Sequence, residues 1–356
     1  MADLVARKAL AHIRYVPAVL PRAAQGTVAR VYAQVQRDFG MLAPPVALHA
    51  PAPVPLAACW LILRETTLAP GLVGRAAKET VATAVSVANT CPYCVEVHST
   101  TLRGLARGRD AAAVAGGKAG SVTDPALRRI AEWATAGTLR QSAAHAPPVP
   151  DGQIPELVGV AVAFHYLNRM VNVFLSESPM PAGTPAVVRA GMRRVLARLM
   201  RRIASRTREP GTSLDLLPAA PLPADLDWAA GNPTVAGALA RAAAAIDATT
   251  VVPQPVRDLM AVRLAEWDGQ PPGLGRAWAT DAVAELPATD RAAGRLALLT
   301  ALASYQVDAG VVEEFRRTRR DDRSLIELTA WASLAAARTA ASWLPGVRSG
   351  GVHGHR

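Results

Sequence analysis

Cysteine is scarce in this sequence, with only 3 among 356 residues, and two of the three lie close together at positions 91 and 94. Three unevenly spaced cysteines do not form the disulfide framework of a small secreted protein. The expected compartment is therefore a reducing cytoplasm, where a close pair of thiols indicates redox or metal chemistry.

Aromatic residues and alternating β-branched residues are also rare. Aromatics make up 4% of the chain, and the apolar residues recur in Ala-rich stretches at helical spacing. This pattern predicts an all-α fold. Lysine is nearly absent, so arginine carries almost all of the net charge of +11. Because Ala, Gly and Pro are abundant too, this bias indicates genome composition rather than nucleic-acid binding, and no nucleic-acid partner is expected.

Long apolar runs without charge are missing as well. The N-terminal apolar residues are interrupted by basic ones, which is not the pattern of a signal peptide. Residues 157–175 carry His165, Asn168 and Arg169 at their centre, so we predict a buried core helix rather than a membrane span. No membrane partner is expected.

The main motif is "KETVATAVSVANTCPYCVEVHST", residues 78–100. Cys91 is placed to cap a helix that begins at Pro92, and Cys94 and His98 then lie one turn apart on one face. The positive end of the helix dipole lies at the start of this helix, and the imidazole of His98 is nearby. Together they predict that the pKa of a cysteine thiol here is lowered towards neutrality. Two cysteines at this spacing can also close into a redox-active disulfide.

Several interpretations of this motif compete. A c-type haem site is excluded because Val95, not histidine, follows the second cysteine. Zinc could be held by both cysteines with His98 and Glu79. "CPYC" also matches the glutaredoxin site, but that site follows a β-strand. A further interpretation is that the two cysteines are structural and lie beside a core histidine, but it leaves their spacing and the presence of Glu79 unexplained. Glu79 itself could be a solvated charge on the helix surface beside Lys78.

The spacing of Glu79, Cys91, Cys94 and His98 resembles the E-x11-C-x2-C-x3-H signature of the alkylhydroperoxidase (AhpD-like) branch of the carboxymuconolactone decarboxylase superfamily. The surrounding segments "LHAPAPVPLAACWLILRE" and "YLNRMVNVF" are similar too, so the resemblance covers roughly residues 25–180. It implies a multihelical AhpD-like fold and a cytoplasmic antioxidant enzyme, a thiol peroxidase that reduces hydroperoxides.

The resemblance also implies roles for the residues of the signature. Glu79 and His98 would form a proton relay that deprotonates Cys94. Cys94 would attack the peroxide and become a sulfenic acid, which Cys91 would resolve as a disulfide. Local physics leaves the choice of nucleophile open, because the helix dipole favours Cys91 and His98 favours Cys94. Tyr93 stands where some members have histidine, and we interpret it as a pocket wall.

No bound cofactor is expected, and the resemblance implies an external dithiol reductant such as a lipoyl group on a partner protein. Residues 185–206 are predicted to form an Arg-rich amphipathic helix. Its charged face is either exposed to solvent or a docking surface for such a partner protein, if that partner is acidic. Its apolar positions follow helical spacing: Met192, Val195, Leu196, Leu199 and Ile203. Cys59 is interpreted as a buried apolar residue, and His49 and His165 as loop and core residues, with the alternative that His165 lines the pocket. Two other functions stay open, a carboxymuconolactone decarboxylase-like enzyme and a non-catalytic redox sensor or scaffold.

The chain divides at a Pro-rich linker, residues 207–227, with the catalytic unit at 1–206 and a flexible tail at 346–356. Residues 228–345 overlay the first unit without a gap around the motif. Gln270, Gly273 and Ala277 then replace Cys91, Cys94 and His98. We therefore predict two tandem helical units, the second a degenerate structural copy, and a monomer or small homo-oligomer.

Overall fold

The computed structural model describes residue 7 and residues 9–141, 146–179, 186–204, 206 and 208–347. Over these residues the chain is helical, with no β-strand and one antiparallel bridge between Ile13 and Leu175. The predicted all-α fold is therefore confirmed.

The first part of the chain supplies the helices that carry the motif. They are α1 (Gly26–Phe39), α2 (Pro44–Ala47), α3 (Pro53–Leu63), α4 (Arg75–Ala88), α5 (Pro92–Leu105), α6 (Gly108–Ala115), α7 (Pro125–Ala136), α8 (Ile154–Phe174) and α9 (Ala186–Ala204). A π-helical turn, Arg64–Leu68, extends α3. Proline opens several of these helices, and Asp124 caps α7 by accepting from the backbone N–H of Ala126 and Leu127, as predicted.

Helix α8 is the centre of the fold. It packs against α3, α4 and the last helix of the chain, and nearly all of its residues are buried. Its length and composition would suit a membrane span, but 94% of its most apolar window is buried inside the protein. This agrees with the prediction of a core helix.

The second part of the chain packs directly onto the first. Its helices are α10 (Pro233–Asp247), α11 (Gln254–Glu266), α12 (Ala277–Ala282), α13 (Arg291–Ala303), α14 (Ala309–Arg316) and α15 (Asp322–Ala341). Helix α10 lies on α3, and α15 lies on α8. The order of the helices and this pairwise contact support the proposed duplication, which stays a prediction.

The segment predicted as a linker, residues 207–227, contributes to the core. Leu216 and Leu226 are buried, and the Glu65 carboxylate accepts from the backbone N–H of Gly211 at 2.8 Å. The segment therefore joins the two parts as packed chain, although residue 207 and residues 348–356 of the predicted tail lie outside the described residues.

The predicted apolar face of α9 is wrong in part. Val195 and Leu199 are exposed, at 65% and 46%, whereas Ala197 and Ile203 are buried. Helix α9 approaches α5 through Ala197, whose backbone oxygen lies so close to Gly104 that a Cβ there would be 2.6 Å away. This close contact places Ala197 against α5 and leaves Val195 and Leu199 facing outward. The side chain of Met192 lies outside the described residues.

Candidate active site

A sharp turn places the cysteine pair at the start of α5. Helix α4 ends at Ala88, and Thr90 has a φ of 50°, in the left-handed region that β-branched residues rarely adopt. The backbone N–H of Cys91 donates to the Ser86 carbonyl at 3.0 Å and closes the turn. Pro92 then opens α5, so Cys91 is the N-cap residue as predicted, although its side chain makes no capping hydrogen bond.

The two thiols are free and buried, and they face different surroundings. Cys91 is 1% exposed and Cys94 is 3% exposed. Cys91 lines an open cleft. Cys94 does not line this cleft. The cleft therefore leads to Cys91, and the protein interior surrounds Cys94.

Glu79 on α4 and His98 on α5 meet in a buried contact. His98 Nδ1 lies 2.8 Å from Glu79 Oε2, and Arg75 Nη2 lies 2.6 Å from Oε1. The His98 ring packs edge-on against Phe164, with ring centroids 4.4 Å apart. Glu79 and Lys78 are both buried, so the alternative of a solvated helix charge is wrong. The structure brings together the two residues that the resemblance assigns to a relay.

The electrostatics of this contact fix where the His98 proton lies. Burial would raise the pKa of Glu79, but the charges of Arg75 and His98 and the hydrogen bonds from both lower it below its ordinary value. Glu79 is thus an ionised acceptor at neutral pH, and the N–H on His98 Nδ1 donates to it. In the neutral ring, Nε2 is then left as a proton acceptor.

Cys94 does not have the lowered pKa that the helix start and His98 predicted. Burial raises the pKa of this thiol well above its ordinary value, the neighbouring Cys91 raises it further, and the hydrogen bond from Asn168 lowers it. Desolvation of a thiolate at this depth outweighs the helix dipole. Any reaction of Cys94 as a thiolate therefore needs a proton acceptor beside it.

A polar network on α8 lies beside the turn that carries the cysteines, and sequence reasoning placed only His165 near the pocket, as an alternative. It includes Asn168, Arg169 and His165, which was interpreted as a core residue. Burial and then the charge of Arg169 lower the pKa of His165 well below its ordinary value, so its ring is neutral. The available signal was three polar residues in an apolar run, which argued against a membrane span and of which Asn168 and Arg169 lie in a segment of the family resemblance.

The cleft beside Cys91 has a volume of about 620 Å³ and lies among α4, α5, α6 and α9. Val95 and Arg103 of α5 line it, and Arg193 of α9 pairs with Glu96 at 2.8 Å. Tyr93, predicted as a pocket wall, does not line this cleft but is buried beside the two thiols.

The remaining candidates lie away from the motif. Cys59 is buried, as predicted, and burial raises the pKa of its thiol. His49 is buried and its Nε2 lies 2.9 Å from the Tyr166 hydroxyl. Among the residues that the structure describes, no three His, Cys, Asp or Glu side chains are arranged to hold a metal ion, including those considered for zinc.

Comparison with known proteins places the chain in a family. Residues 55–136, which include the cysteine motif, match the carboxymuconolactone decarboxylase family. The chain is also 37% identical over 340 residues to alkyl hydroperoxide reductase Rv2159c of Mycobacterium tuberculosis (strain ATCC 25618 / H37Rv), across 96% of this chain and 97% of that protein. The chain therefore belongs to the carboxymuconolactone decarboxylase family, as predicted. The prediction of an enzyme, an oxidoreductase of the alkylhydroperoxidase kind, is confirmed by this relative.

Proposed function

We propose that the chain is a thiol-dependent peroxidase that reduces organic hydroperoxides to alcohols through Cys91 and Cys94. The buried contact between Glu79 and His98 carries the proposal, because it orients a proton acceptor on the same helix as a thiol that burial keeps protonated. The relative named alkyl hydroperoxide reductase supports the same reaction.

The oxidative steps follow from these positions. His98 Nε2 takes the proton of Cys94, directly or through a water molecule, and Cys94 Sγ attacks the terminal oxygen of the hydroperoxide. The O–O bond breaks, the leaving alkoxide takes a proton from His98 and departs as the alcohol, and Cys94 becomes a sulfenic acid. The Cys91 thiol then attacks Cys94 Sγ, water leaves, and a disulfide forms.

An external dithiol, such as a lipoyl group on a partner protein, completes the cycle in the cytoplasm. Its thiolate attacks Cys91 Sγ from the cleft, the Cys91–Cys94 bond breaks, and Cys94 leaves as a thiolate. The second donor thiolate then displaces Cys91, and the donor departs as its own disulfide. Exposed arginines at the cleft and on α9, including Arg103, Arg193 and Arg198, favour a donor with acidic groups.

Consumption of tert-butyl hydroperoxide by the full chain, with dihydrolipoamide as the reductant, tests this function. We expect turnover by the wild-type chain, none by Cys94→Ser, and a sulfenic acid that dimedone traps in Cys91→Ser. No hydroperoxide consumption by the reduced wild-type chain would overturn the proposal. If hydroperoxide oxidised the two thiols once and no turnover followed, a redox sensor would be favoured. Decarboxylation of carboxymuconolactone by both serine variants would favour the decarboxylase.

A further inference from the structure

Helix α9 carries a large share of the apolar side chains that the protein exposes. Among the described residues, ten large apolar side chains are exposed to solvent, and four of them lie on α9. Three of the four, Val188, Val195 and Leu199, follow one another at i, i+7 and i+11, so they form one line along the helix. Their exposed fractions are 51%, 65% and 46%. We call this line the apolar stripe.

The packing of α9 on α5 leaves the apolar stripe outside the core. Ala197 and Ile203 are buried, and the Ala197 backbone oxygen lies close to Gly104 of α5. The helix is therefore held to the protein by other residues than those of the stripe. A surface helix ordinarily buries its apolar face, and exposed apolar residues that are bordered by charge mark a surface that binds a partner.

Arginines border the apolar stripe. Residues 186–204 contain six arginines and neither Asp nor Glu. Three of the arginines, Arg194, Arg198 and Arg201, recur at i, i+4 and i+7 and are exposed, so they form a second line beside the stripe. Helices that lie in the interface of a membrane have this pattern. Their apolar side enters the boundary of the acyl chains, and their basic residues meet anionic headgroups.

We propose that the exposed face of α9, formed by the apolar stripe and these three arginines, docks on an anionic lipid bilayer. A second copy of this chain is a poorer occupant, because a two-fold contact would bring the same arginines together. An acidic protein would pair with the arginines, but residues 186–204 contain none of the aromatic anchors that dominate protein interfaces.

The proposed docking is peripheral and lies next to the cleft. Arg193 of the same helix lines the cleft beside Cys91, so docking holds the cleft within about 10 Å of the lipid, the diameter of one helix. The sequence-based expectation of no membrane partner rested on the lack of a membrane span and of a signal peptide. Binding through a surface helix needs neither of them.

Co-sedimentation of the full chain with vesicles tests the docking. Vesicles of three parts phosphatidylcholine to one part phosphatidylglycerol should bind the wild-type chain about tenfold or more tightly than vesicles of phosphatidylcholine alone. Arg194→Gln with Arg201→Gln should weaken binding to the anionic vesicles by about 10- to 30-fold, since each arginine at such a surface strengthens binding about fivefold. Arg317→Gln with Arg320→Gln, at two exposed arginines that follow α14, is the control matched in charge and should bind like the wild-type chain.

Val195→Ser with Leu199→Ser separates a lipid partner from an acidic protein. Removing these apolar side chains should weaken binding to the anionic vesicles by about tenfold or more. Val262→Ser, at a valine of α11 that is 55% exposed, is the control. Unchanged binding by the double serine variant would overturn the proposal in favour of an electrostatic surface for an acidic protein. Equal binding of the wild-type chain to both kinds of vesicle would also overturn it, as would a dimer without lipid that the serine variant dissociates.

The vesicle assay is independent of the peroxidase proposed above, because it uses no hydroperoxide. We expect the chain with Val195→Ser and Leu199→Ser to reduce tert-butyl hydroperoxide at the wild-type rate, since neither residue lines the cleft. Vesicle binding by a chain that consumes no hydroperoxide would overturn only the proposed function. Hydroperoxide consumption by a chain that binds no vesicles would overturn only the docking.

Discussion

Two opposite influences act on the sulfur of Cys94. Burial raises the pKa of this thiol, and the amide of Asn168 lowers it by less, so the thiol is protonated at neutral pH in the resting dithiol form. In the proposed cycle, His98, whose Nδ1 lies 2.8 Å from the Glu79 carboxylate, removes the proton. Reactivity at this site is therefore limited by how much thiolate the surroundings allow.

The first prediction concerns pH. Because the pKa of Cys94 is raised, its thiolate fraction should increase roughly tenfold per pH unit between pH 6 and 8, and its alkylation rate should follow. Iodoacetamide labelling of the reduced chain at each pH, quantified at Cys94, measures this. A rate that is already level at pH 7 would contradict a raised pKa and would favour the low pKa that the sequence predicted.

The second prediction concerns the relay. His98→Ala should lower the rate of hydroperoxide reduction by about 10²- to 10⁴-fold, because the proton acceptor is lost. Glu79→Gln should lower it less, since Glu79 acts only by orienting His98. Stopped-flow measurement of one turnover gives both rates. Glu266→Gln, which removes the carboxylate of an exposed ion pair with Arg263, is the control; wild-type rates in both relay variants would exclude the relay.

The third prediction concerns which thiols oxidise. After mild peroxide treatment, the peptide with Cys91 and Cys94 should lose two hydrogens, while Cys59 stays reduced because it is buried and its pKa is raised. Mass spectrometry of the digested protein shows both results. Replacing Cys59 by Ala should leave the disulfide yield unchanged, and one stoichiometric zinc ion bound by the dithiol would rule out the redox interpretation.

The resemblance to the alkylhydroperoxidase signature implied a relay between Glu79 and His98, and the structure places the two side chains in contact. These residues lie on two consecutive helices joined by a short turn. The position of Asn168 could not be predicted in the same way, because only the packing of a distant helix brings its side chain to Ser86 and Asn89 beside the motif. The direction of the pKa shift of Cys94 was predicted wrongly. The helix dipole and the neighbouring His98 can be recognised from the local sequence, whereas the depth at which the thiol is buried cannot.

At the scale of elements, the contact between α5 and α9 shapes the cleft. The approach of Ala197 to Gly104 brings α9 close enough for Arg193 to pair with Glu96 and line the cavity. Helical periodicity predicted α9 itself, but its orientation depends on this one small residue of another helix. An apolar pattern alone therefore could not show that Val195 faces outward.

The fourth prediction tests this contact. Gly104→Ala should destabilise the protein by about 1–3 kcal/mol, because the added Cβ would lie 2.6 Å from the Ala197 oxygen and force α9 away. Gly191→Ala, on α9 with open space around it, is the matched control and should stabilise by about 0.5–1 kcal/mol. Thermal unfolding measures both, and hydrogen exchange should be faster in α9 of the first variant. Equal melting temperatures in the two variants would contradict the close contact.

At the scale of the whole molecule, the second part covers apolar surface that the first part would otherwise expose. Helix α15 lies on α8, and α10 lies on α3. The packing is close, since a Cβ on Gly159 of α8 would lie 3.1 Å from Val235 of α10. The tandem arrangement was predicted from an overlay of the two halves, but contacts of this detail depend on how the halves dock.

The fifth prediction is that residues 1–210 alone will aggregate or oligomerise. Removing α15 and α10 exposes the buried faces of α8 and α3, and contiguous apolar surface of this kind drives association. Light scattering of the purified fragment measures this, and co-expression with residues 211–356 should restore a soluble complex. A stable monomeric fragment would contradict the packing role, and the full chain should remain a monomer or small oligomer.

The contact between α8 and α15 has a consequence for how the protein can change over evolution. Identical subunits that meet about a two-fold axis must present every substitution twice, so each change has to suit both sides of the interface. One continuous chain has no such requirement. Arg169 of α8 can thus lie over the Trp267 ring of the second part, while Arg338 of α15 pairs with Asp225 and Asp247. Under the predicted duplication, this asymmetry would let one half specialise in support while the other half keeps the thiols.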